Sequence, residues 1–198
     1  MFENKEHKII FDNKWMQVKE TFRGFIYSQR KNKNSIALLL YNNQNEILVR
    51  FQPMCAVEEL GQEENRIAPC CITGSVDKDK SYLEIAIEEA QEEAGYDVRN
   101  CIKYVGNYIV STQTNEICYC YIADVTGLKQ TQIKGDGSFF ESISYNKWVN
   151  IKDVKKLDNL YGGLLILLDK LEDYKVSIRN NGINEVLKDL ENFDFEIK

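Results

Sequence analysis

The chain has 198 residues, a net charge of −6, 43% hydrophobic residues and 28% charged residues. This composition is typical of a globular domain with a sizeable core and excludes a disordered chain. The negative net charge, without a basic stripe, argues against a nucleic acid partner.

The six cysteines are expected to be reduced thiols. The N-terminus has neither a basic start nor an apolar core, so no signal peptide is expected and we expect a cytoplasmic protein. The sequence contains no run of about 18 apolar residues, which argues against a membrane span. The cysteine spacing and the single histidine argue against zinc. Cys118 and Cys120 are expected to be core thiols.

The predicted elements, taken in chain order, are strands followed by helices. An N-terminal meander is predicted from strands at 8–11, 15–22 and 25–29, with a turn at 31–34. The later strands are predicted at 35–41, 47–51, 66–72, 104–110, 116–124 and 142–149, with a hairpin loop at 42–45. The helices are predicted at 83–95, 151–157, 160–173 and 184–193. This order predicts an α/β/α sandwich with a mixed sheet, in which 1–34 form an N-terminal strand extension and 35–198 the main domain.

The helix at 83–95 carries several carboxylates and neither Lys nor Arg. Its apolar positions have helical spacing and Gly95 is a typical C-terminal stop. They are Leu83, Ala86, Ile87, Ala90 and Ala94. Four glutamates are expected to share the opposite face: Glu88, Glu89, Glu92 and Glu93.

Such a face is unfavourable unless something positive binds to it. Each like-charged pair four residues apart costs roughly 0.2–0.5 kcal/mol, and carboxylates in the last turn are also disfavoured by the helix dipole. Glu89, Glu92 and Glu93 can converge on one or two cations, and all-oxygen ligation suits Mg²⁺ or Mn²⁺. The alternative is a solvated acidic face without a ligand.

The segment from Gly74 to Tyr96 resembles the Nudix box, whose pattern is G-x5-E-x7-R-E-U-x-E-E-x-G-U with U apolar. The pattern aligns without a gap at seven positions: Gly74, Glu89, Ala90, Glu92, Glu93, Gly95 and Tyr96. The resemblance implies a Nudix-type α/β/α sandwich and a Mg²⁺-dependent or Mn²⁺-dependent hydrolase. Glu89, Glu92 and Glu93 would be metal ligands, with a backbone carbonyl of Thr73 or Gly74 as a further donor.

Two positions depart from the box, because Lys80 stands where the family has Glu and Glu88 where it has Arg. One interpretation is that the box has lost its function, so that activity is weak or absent. The other is an exchange of charges, in which a Lys80–Glu88 ion pair still ties the loop to the helix. The second is preferred because the three metal-binding acids are intact.

A wider region, about 35–171, is similar to the ADP-ribose pyrophosphatases of the Nudix superfamily. The similarity rests on Arg50-Phe-Gln-Pro53, on Cys70-Cys-Ile-Thr-Gly74, and on the loop at 135–141 with the strand after it. The stretch 111–116 departs from the Ser-Pro-Gly-like turn usual in those enzymes. The resemblance implies a small-molecule nucleotide substrate, and it implies a homodimer in which the N-terminal region completes the pocket.

Candidate catalytic and binding residues follow from this resemblance and from position in the chain. A loop acid is expected to be the general base, and Glu141 is the first choice with Glu116 as the second. Arg50 and Arg66 are candidates for phosphate binding, with surface ion pairs as the alternative. Trp15 and Phe22 are candidates for base stacking or a dimer contact, with a core role as the alternative.

Three functions are consistent with the sequence. The leading one is metal-dependent hydrolysis of the diphosphate linkage in ADP-ribose or a nucleotide sugar, giving a nucleoside monophosphate and a sugar phosphate. The second is a nucleotide-binding or regulatory Nudix-fold protein that is weakly active or inactive. The third is an acidic interaction module whose glutamate helix binds a basic partner.

Overall fold

The structure is a computed structural model that describes residues 7–31, 34–61, 66–76, 79–133, 137 and 139–195, with side chains up to residue 182. The predicted turn at 31–34 and the predicted loop at 135–141 lie partly outside the described residues. Among the helices of the described residues, none combines the length and the apolar character that a membrane span requires.

Two sheets are formed by the described strands. The N-terminal strands β1 (Lys8–Asp12), β2 (Met16–Glu20) and β3 (Ile26–Arg30) form an antiparallel meander. The other strands form the main sheet: β4 (Ser35–Tyr41), β5 (Glu46–Pro53), β6 (Ile67–Cys70), β7 (Ile72–Ser75), β8 (Ile102–Ile109), β9 (Ile117–Asp124) and β10 (Tyr145–Asn150). Its order is β10-β5-β4-β9-β8, with β6 paired to β5 and β7 to β4, and only the β4–β9 pair of these is parallel.

Four α-helices occur within the described residues. They are α1 (Tyr82–Ala94), α2 (Phe139–Ser142), α3 (Ile151–Val154) and α4 (Gly162–Phe195). Helix α1 packs on one face of the main sheet and α4 on the other. The α/β/α sandwich with a mixed sheet is thereby confirmed.

The central strand β4 explains how the two layers are joined. Residues 35–40 are all buried, as expected for a strand covered on both faces, so its sequence is a continuous apolar run rather than an alternating one. Ile36 and Leu38 belong to the core beneath α1, whereas Ala37 and Leu39 belong to the core beneath α4.

Helix α1 is defined at both ends by its own sequence. The Ser81 hydroxyl accepts from the Glu84 amide at 3.2 Å, and the Glu84 carboxylate accepts from the Ser81 amide at 2.7 Å. This capping box satisfies two backbone donors and stabilises the helix by about 1 kcal/mol. Gly95 ends the helix in the left-handed conformation, with φ 73°, where glycine avoids the cost of a side chain.

The predicted burial pattern of α1 is wrong at two positions. Leu83 is 44% exposed because it lies in the first turn. Glu93 is only 9% exposed, whereas the helical spacing in the sequence predicts it on the acidic face opposite the apolar residues. Glu93 follows Ala86 and Ala90 by seven and three residues, so it lies on their side of the helix, and both alanines are buried.

Other element boundaries differ from prediction for local reasons. The single strand predicted at 66–72 is two strands separated by Cys71, which lets the chain pair first with β5 and then with β4. The two helices predicted at 160–173 and 184–193 are one helix. Gly182 lies between the two predicted helices, but an interior glycine costs only about 1 kcal/mol relative to alanine and does not end the helix. The predicted loop at 135–141 contains the start of α2.

Cys118 and Cys120 are buried free thiols, as predicted. Burial raises the pKa of both thiols, that of Cys120 to about 12. They are therefore protonated core residues at neutral pH.

The N-terminal sheet packs its edge strand β3 against the segment 111–116. The Ser28 amide donates to the Gln113 carbonyl at 2.8 Å, and the Asn115 side-chain amide donates to Gln29 Oε1 at 2.9 Å. These bonds join the first strands of the chain to the loop that leads into β9.

Candidate active site

Glu89 lies directly against the backbone of Gly74. A Cβ atom at Gly74 would be 2.4 Å from Glu89 Oε1 and 2.7 Å from its Cγ, which is closer than a side chain can approach. Gly74 is needed here because the missing side chain makes room for the carboxylate. The spacing between the two residues in the sequence therefore corresponds to a direct contact between β7 and α1.

Glu93 forms a buried ion pair with Arg50 of β5. Arg50 Nη2 is 3.1 Å from Glu93 Oε1, and the two side chains are 6% and 10% exposed. The Asn146 side-chain amide of β10 donates to the Glu93 carbonyl at 2.6 Å. The end of α1 is thus fixed to two neighbouring strands of the main sheet.

The second oxygen of this carboxylate, Glu93 Oε2, is buried and accepts no hydrogen bond within the described part of the chain. A buried acceptor without a partner costs about 1–3 kcal/mol. A bound cation would remove that cost.

The carboxylates of this cluster raise one another's pKa values. Burial raises the pKa of Glu89 to about 8, and the charges of Glu93, Glu92 and Glu141 add to the effect while Arg50 opposes it. Burial also raises the pKa of Glu93 to about 7, with Glu141 and Glu92 adding to it and with Arg50 and the Thr73 amide opposing it. The cluster therefore has more negative charge than the nearby arginine balances.

The donor set of this cluster fits a divalent cation. Carboxylate oxygens are the ligands that Mg²⁺ and Mn²⁺ prefer, and Glu93 Oε2 is an acceptor without a partner among the described residues. Across the same described residues, no three His, Cys, Asp or Glu side chains are already arranged to hold a metal ion. We therefore expect the glutamate side chains, of which Glu92 is exposed, to reorient when a cation binds.

The two candidate general bases lie in different places. Glu141 belongs to α2, and its charge acts on both Glu89 and Glu93, so it is close to the carboxylate cluster. Glu116 precedes β9, where its Oε1 is 3.7 Å from Arg30 Nη1. Proximity to the cluster favours Glu141 for a role in chemistry.

A cavity of about 200 Å³ with both polar and apolar lining, here called the polar cavity for its charged Arg30–Glu116 end, adjoins Gly74, against which Glu89 lies. It extends from Gly74 to the Arg30–Glu116 pair and brings together residues from both sheets. Its lining includes Arg30, Ser35, Gln52, Gly74, Glu116 and Tyr161.

Lys80 and Glu88, the two departures from the box, form an ion pair. Lys80 Nζ is 2.6 Å from Glu88 Oε2, and each side chain is 46% exposed. At this exposure the pair contributes at most about 1 kcal/mol. The exchanged charges do meet across the turn that precedes α1.

Three residues predicted to bind substrate lie outside the lining of this cavity. Arg50 is buried in the pair with Glu93. Arg66 Nε donates to the Gly61 carbonyl at 2.8 Å and its Nη1 donates to the Cys55 carbonyl, so it holds a loop. Trp15 lies in the turn before β2, 71% exposed. The core alternative is wrong for Trp15 and for Phe22, which is 66% exposed.

Arg30, Ser35, Gln52 and Tyr161 line the cavity but were not predicted as site residues. They come from β3, β4, β5 and the residue before α4. No spacing in the sequence indicates that these strands converge, because the convergence arises from the docking of one sheet on another. Arg30 directly follows a predicted strand, but the lysines beside it give the same charge signal, so the sequence did not single it out.

Comparisons with known proteins identify the family. The NUDIX domain family model matches residues 31–168. A solved structure described as an ADP compounds hydrolase is 14% identical, with a TM-score of 0.60, and the alignment covers 85% of this chain and 91% of that one.

A second solved structure comes from work on MutT of Aliivibrio salmonicida and Vibrio cholerae. It is 15% identical, with a TM-score of 0.51, and the alignment covers 71% of this chain and 97% of that one. At these identities the two structures support the fold alone. No curated protein matches the chain.

The raised pKa values predict that the metal-free protein loses stability as pH rises. Glu89 and Glu93 hold protons in the folded state up to about pH 8 and 7, whereas unfolded glutamates release them near 4.3. The folded state binds more protons between these limits, so the free energy of unfolding falls as pH increases through them. In the presence of EDTA, thermal unfolding should show a Tm at least about 3 °C lower at pH 8.5 than at pH 6.

Saturating Mg²⁺ should raise the Tm more at pH 8.5 than at pH 6, since the cation binds the ionised carboxylates. Glu89→Gln should flatten the metal-free pH dependence, whereas Glu172→Gln, on the exposed side of α4, should leave it unchanged. If the Tm of Glu89→Gln depended on pH as strongly as that of the wild type, the pKa of Glu89 would not be raised in the folded state.

Proposed function

The chain belongs to the NUDIX domain family and is a Nudix pyrophosphohydrolase, and from this membership we propose that it hydrolyses the diphosphate linkage of ADP-ribose or a nucleotide sugar. The products would be a nucleoside monophosphate and a sugar phosphate. A solved structure of similar fold is described as an ADP compounds hydrolase, and we take the adenosine diphosphate derivative named there as the first substrate to test.

The observation that carries this proposal is the carboxylate cluster beside Gly74. Glu89, Glu92, Glu93 and Glu141 interact with one another, and Arg50 is the cation that lowers the pKa values of Glu89 and Glu93. A diphosphate is itself an anion, so it would be repelled from this cluster unless divalent cations were bound there as well. The adjoining polar cavity supplies space for the group attached to the diphosphate.

We propose Glu89, Glu92 and Glu93 as the ligands of Mg²⁺ or Mn²⁺, with a carbonyl of Thr73 or Gly74 as a further donor. When bound, the cation would offset the charge of the phosphates and favour ionisation of the attacking water. Two other residues position these ligands. Arg50 holds Glu93 at the end of α1, and Gly74 leaves the space that Glu89 occupies.

Glu141 is the proposed general base. It would accept a proton from the water that attacks phosphorus, while the bond from that phosphorus to the bridging oxygen breaks. The charge of Glu141 already acts on Glu89 and Glu93, which supports its placement beside the reacting groups. Gly137 precedes α2 with φ 77°, a conformation that glycine adopts at little cost.

The experiment that tests the proposed function is a substrate screen. Purified protein is incubated with Mg²⁺ or Mn²⁺ and with ADP-ribose, nucleotide sugars, dinucleoside polyphosphates, NADH or nucleoside triphosphates, and the products are separated by chromatography. We expect AMP and a sugar phosphate from an ADP-linked sugar. Binding of nucleotide without turnover would instead indicate the regulatory alternative, and neither binding nor turnover would favour the acidic interaction module.

Glu141→Gln should reduce kcat by roughly 100-fold or more, because a positioned base contributes at least that much. The KM should change by less than about threefold, since the amide keeps the size of the side chain and the metal ligands are untouched. Steady-state kinetics on the best substrate of the screen measures both values, with Glu172→Gln as the control. Turnover at the wild-type rate would remove Glu141 from the mechanism.

The Lys80–Glu88 ion pair predicts compensation between the two substitutions. Lys80→Glu or Glu88→Arg alone places like charges together and should lower kcat/KM about two- to fivefold, the equivalent of up to about 1 kcal/mol. The double variant restores opposite charges and should recover most of the loss. If Glu88→Arg alone raised activity and Lys80→Glu alone had no effect, the pair would have no compensating role.

A further inference from the structure

We propose that the polar cavity binds the sugar of the phosphorylated product, and that Glu116 and Arg30 select for a sugar with neighbouring free hydroxyls. This inference rests on the proposed function, because it names the group that lies beyond the diphosphate. It also assigns Glu116 to recognition rather than to proton transfer.

Within the part of the chain that the structure describes, the Glu116 carboxylate has acceptor capacity that is not used. Its side chain is 10% exposed, and Arg30 is its ion-pair partner at 3.7 Å, which is too long for a direct hydrogen bond. A buried carboxylate facing a cavity gains most from a ligand that donates hydrogen bonds to it. Two adjacent hydroxyls of a sugar ring match the two oxygens of a carboxylate.

The cavity lining combines the polar groups of Ser35 and Gln52 with the apolar surfaces of Met54 and Tyr161, a combination that fits a sugar ring, whose edges carry hydroxyls and whose faces are apolar. Ser35 and Gln52 provide small polar groups beside Glu116, as expected where a ligand carries hydroxyls on several sides. A further phosphate next to Glu116 would be repelled by its charge. The volume of about 200 Å³ is below the roughly 300–1,000 Å³ of sites that hold drug-sized ligands, so it accommodates a part of the substrate.

Arg30 and Glu116 are held in place by the same strand. Arg30 is the last residue of β3, and Ser28 and Gln29 of that strand bond to the segment 111–116. Arg30 also donates to the Ser75 hydroxyl beside Gly74. The N-terminal sheet thereby fixes both walls of the cavity, so specificity depends on how β3 docks on this segment.

The test compares two substrates across matched variants. ADP-ribose is compared with its analogue whose terminal ribose lacks one of the two neighbouring hydroxyls. Wild-type protein should prefer ADP-ribose in kcat/KM. Glu116→Ala should lower kcat/KM for ADP-ribose roughly 10- to 100-fold and change it little for the analogue, so that the preference collapses. Arg30→Ala should weaken the preference in the same direction.

Glu20→Gln is the control. Like Glu116, Glu20 forms an ion pair with a residue of the N-terminal sheet, in this case Lys8, but it is not part of the cavity lining. An unchanged preference for ADP-ribose in Glu116→Ala would overturn the inference while leaving the proposed hydrolysis intact.

A second measurement does not depend on turnover. Binding of ribose 5-phosphate to wild-type protein, followed by NMR or calorimetry, should weaken roughly 10-fold or more in Glu116→Ala and remain unchanged in Glu20→Gln. If wild type hydrolysed no diphosphate yet bound ribose 5-phosphate through Glu116, the proposed function would fail and the sugar site would stand. No binding of ribose 5-phosphate to wild type would overturn the inference.

Discussion

The buried ion pair between Arg50 and Glu93 is the interaction on which the site depends. It joins the last turn of α1 to the centre of the main sheet, and neither side chain is more than 10% exposed. Removing one partner of such a pair typically costs about 3–5 kcal/mol because the other charge is left buried. The pair neutralises one oxygen of Glu93, and among the described residues it leaves the other oxygen without a hydrogen-bond partner.

The proposed function uses the negative charge that Glu89, Glu92 and Glu93 bring together. The protein places carboxylates where burial and mutual repulsion raise their pKa values, and such placement is typical of functional sites. A stable fold tolerates the arrangement because the capping box of α1, the layers on both faces of β4 and the Arg50 contact hold the glutamates in position. A divalent cation would then bind to carboxylates that already lie close together, once their side chains have reoriented around it.

Local sequence predicted most of the strands, the ends of α1 and the glutamates that gather beside Gly74. The contact of Glu89 with Gly74 follows from a short chain segment, so the spacing of a motif specifies it. The burial of Arg50 and the meeting of Arg30 with Glu116 depend on pairing between distant strands, and no periodicity indicates those pairings. For the same reason the sequence alone predicts that Arg50 lies at the surface, because it does not show which strand packs beneath a helix.

The most direct test of the account is isothermal titration calorimetry of Mn²⁺ into the metal-free protein at pH 7, repeated in two buffers with different ionisation enthalpies. We predict saturable binding together with proton release, because Glu89 and Glu93 are partly protonated at that pH and must ionise to bind the metal. Glu93→Gln should weaken the binding strongly. The absence of Mn²⁺ binding to wild type, with and without ADP-ribose, would contradict the account.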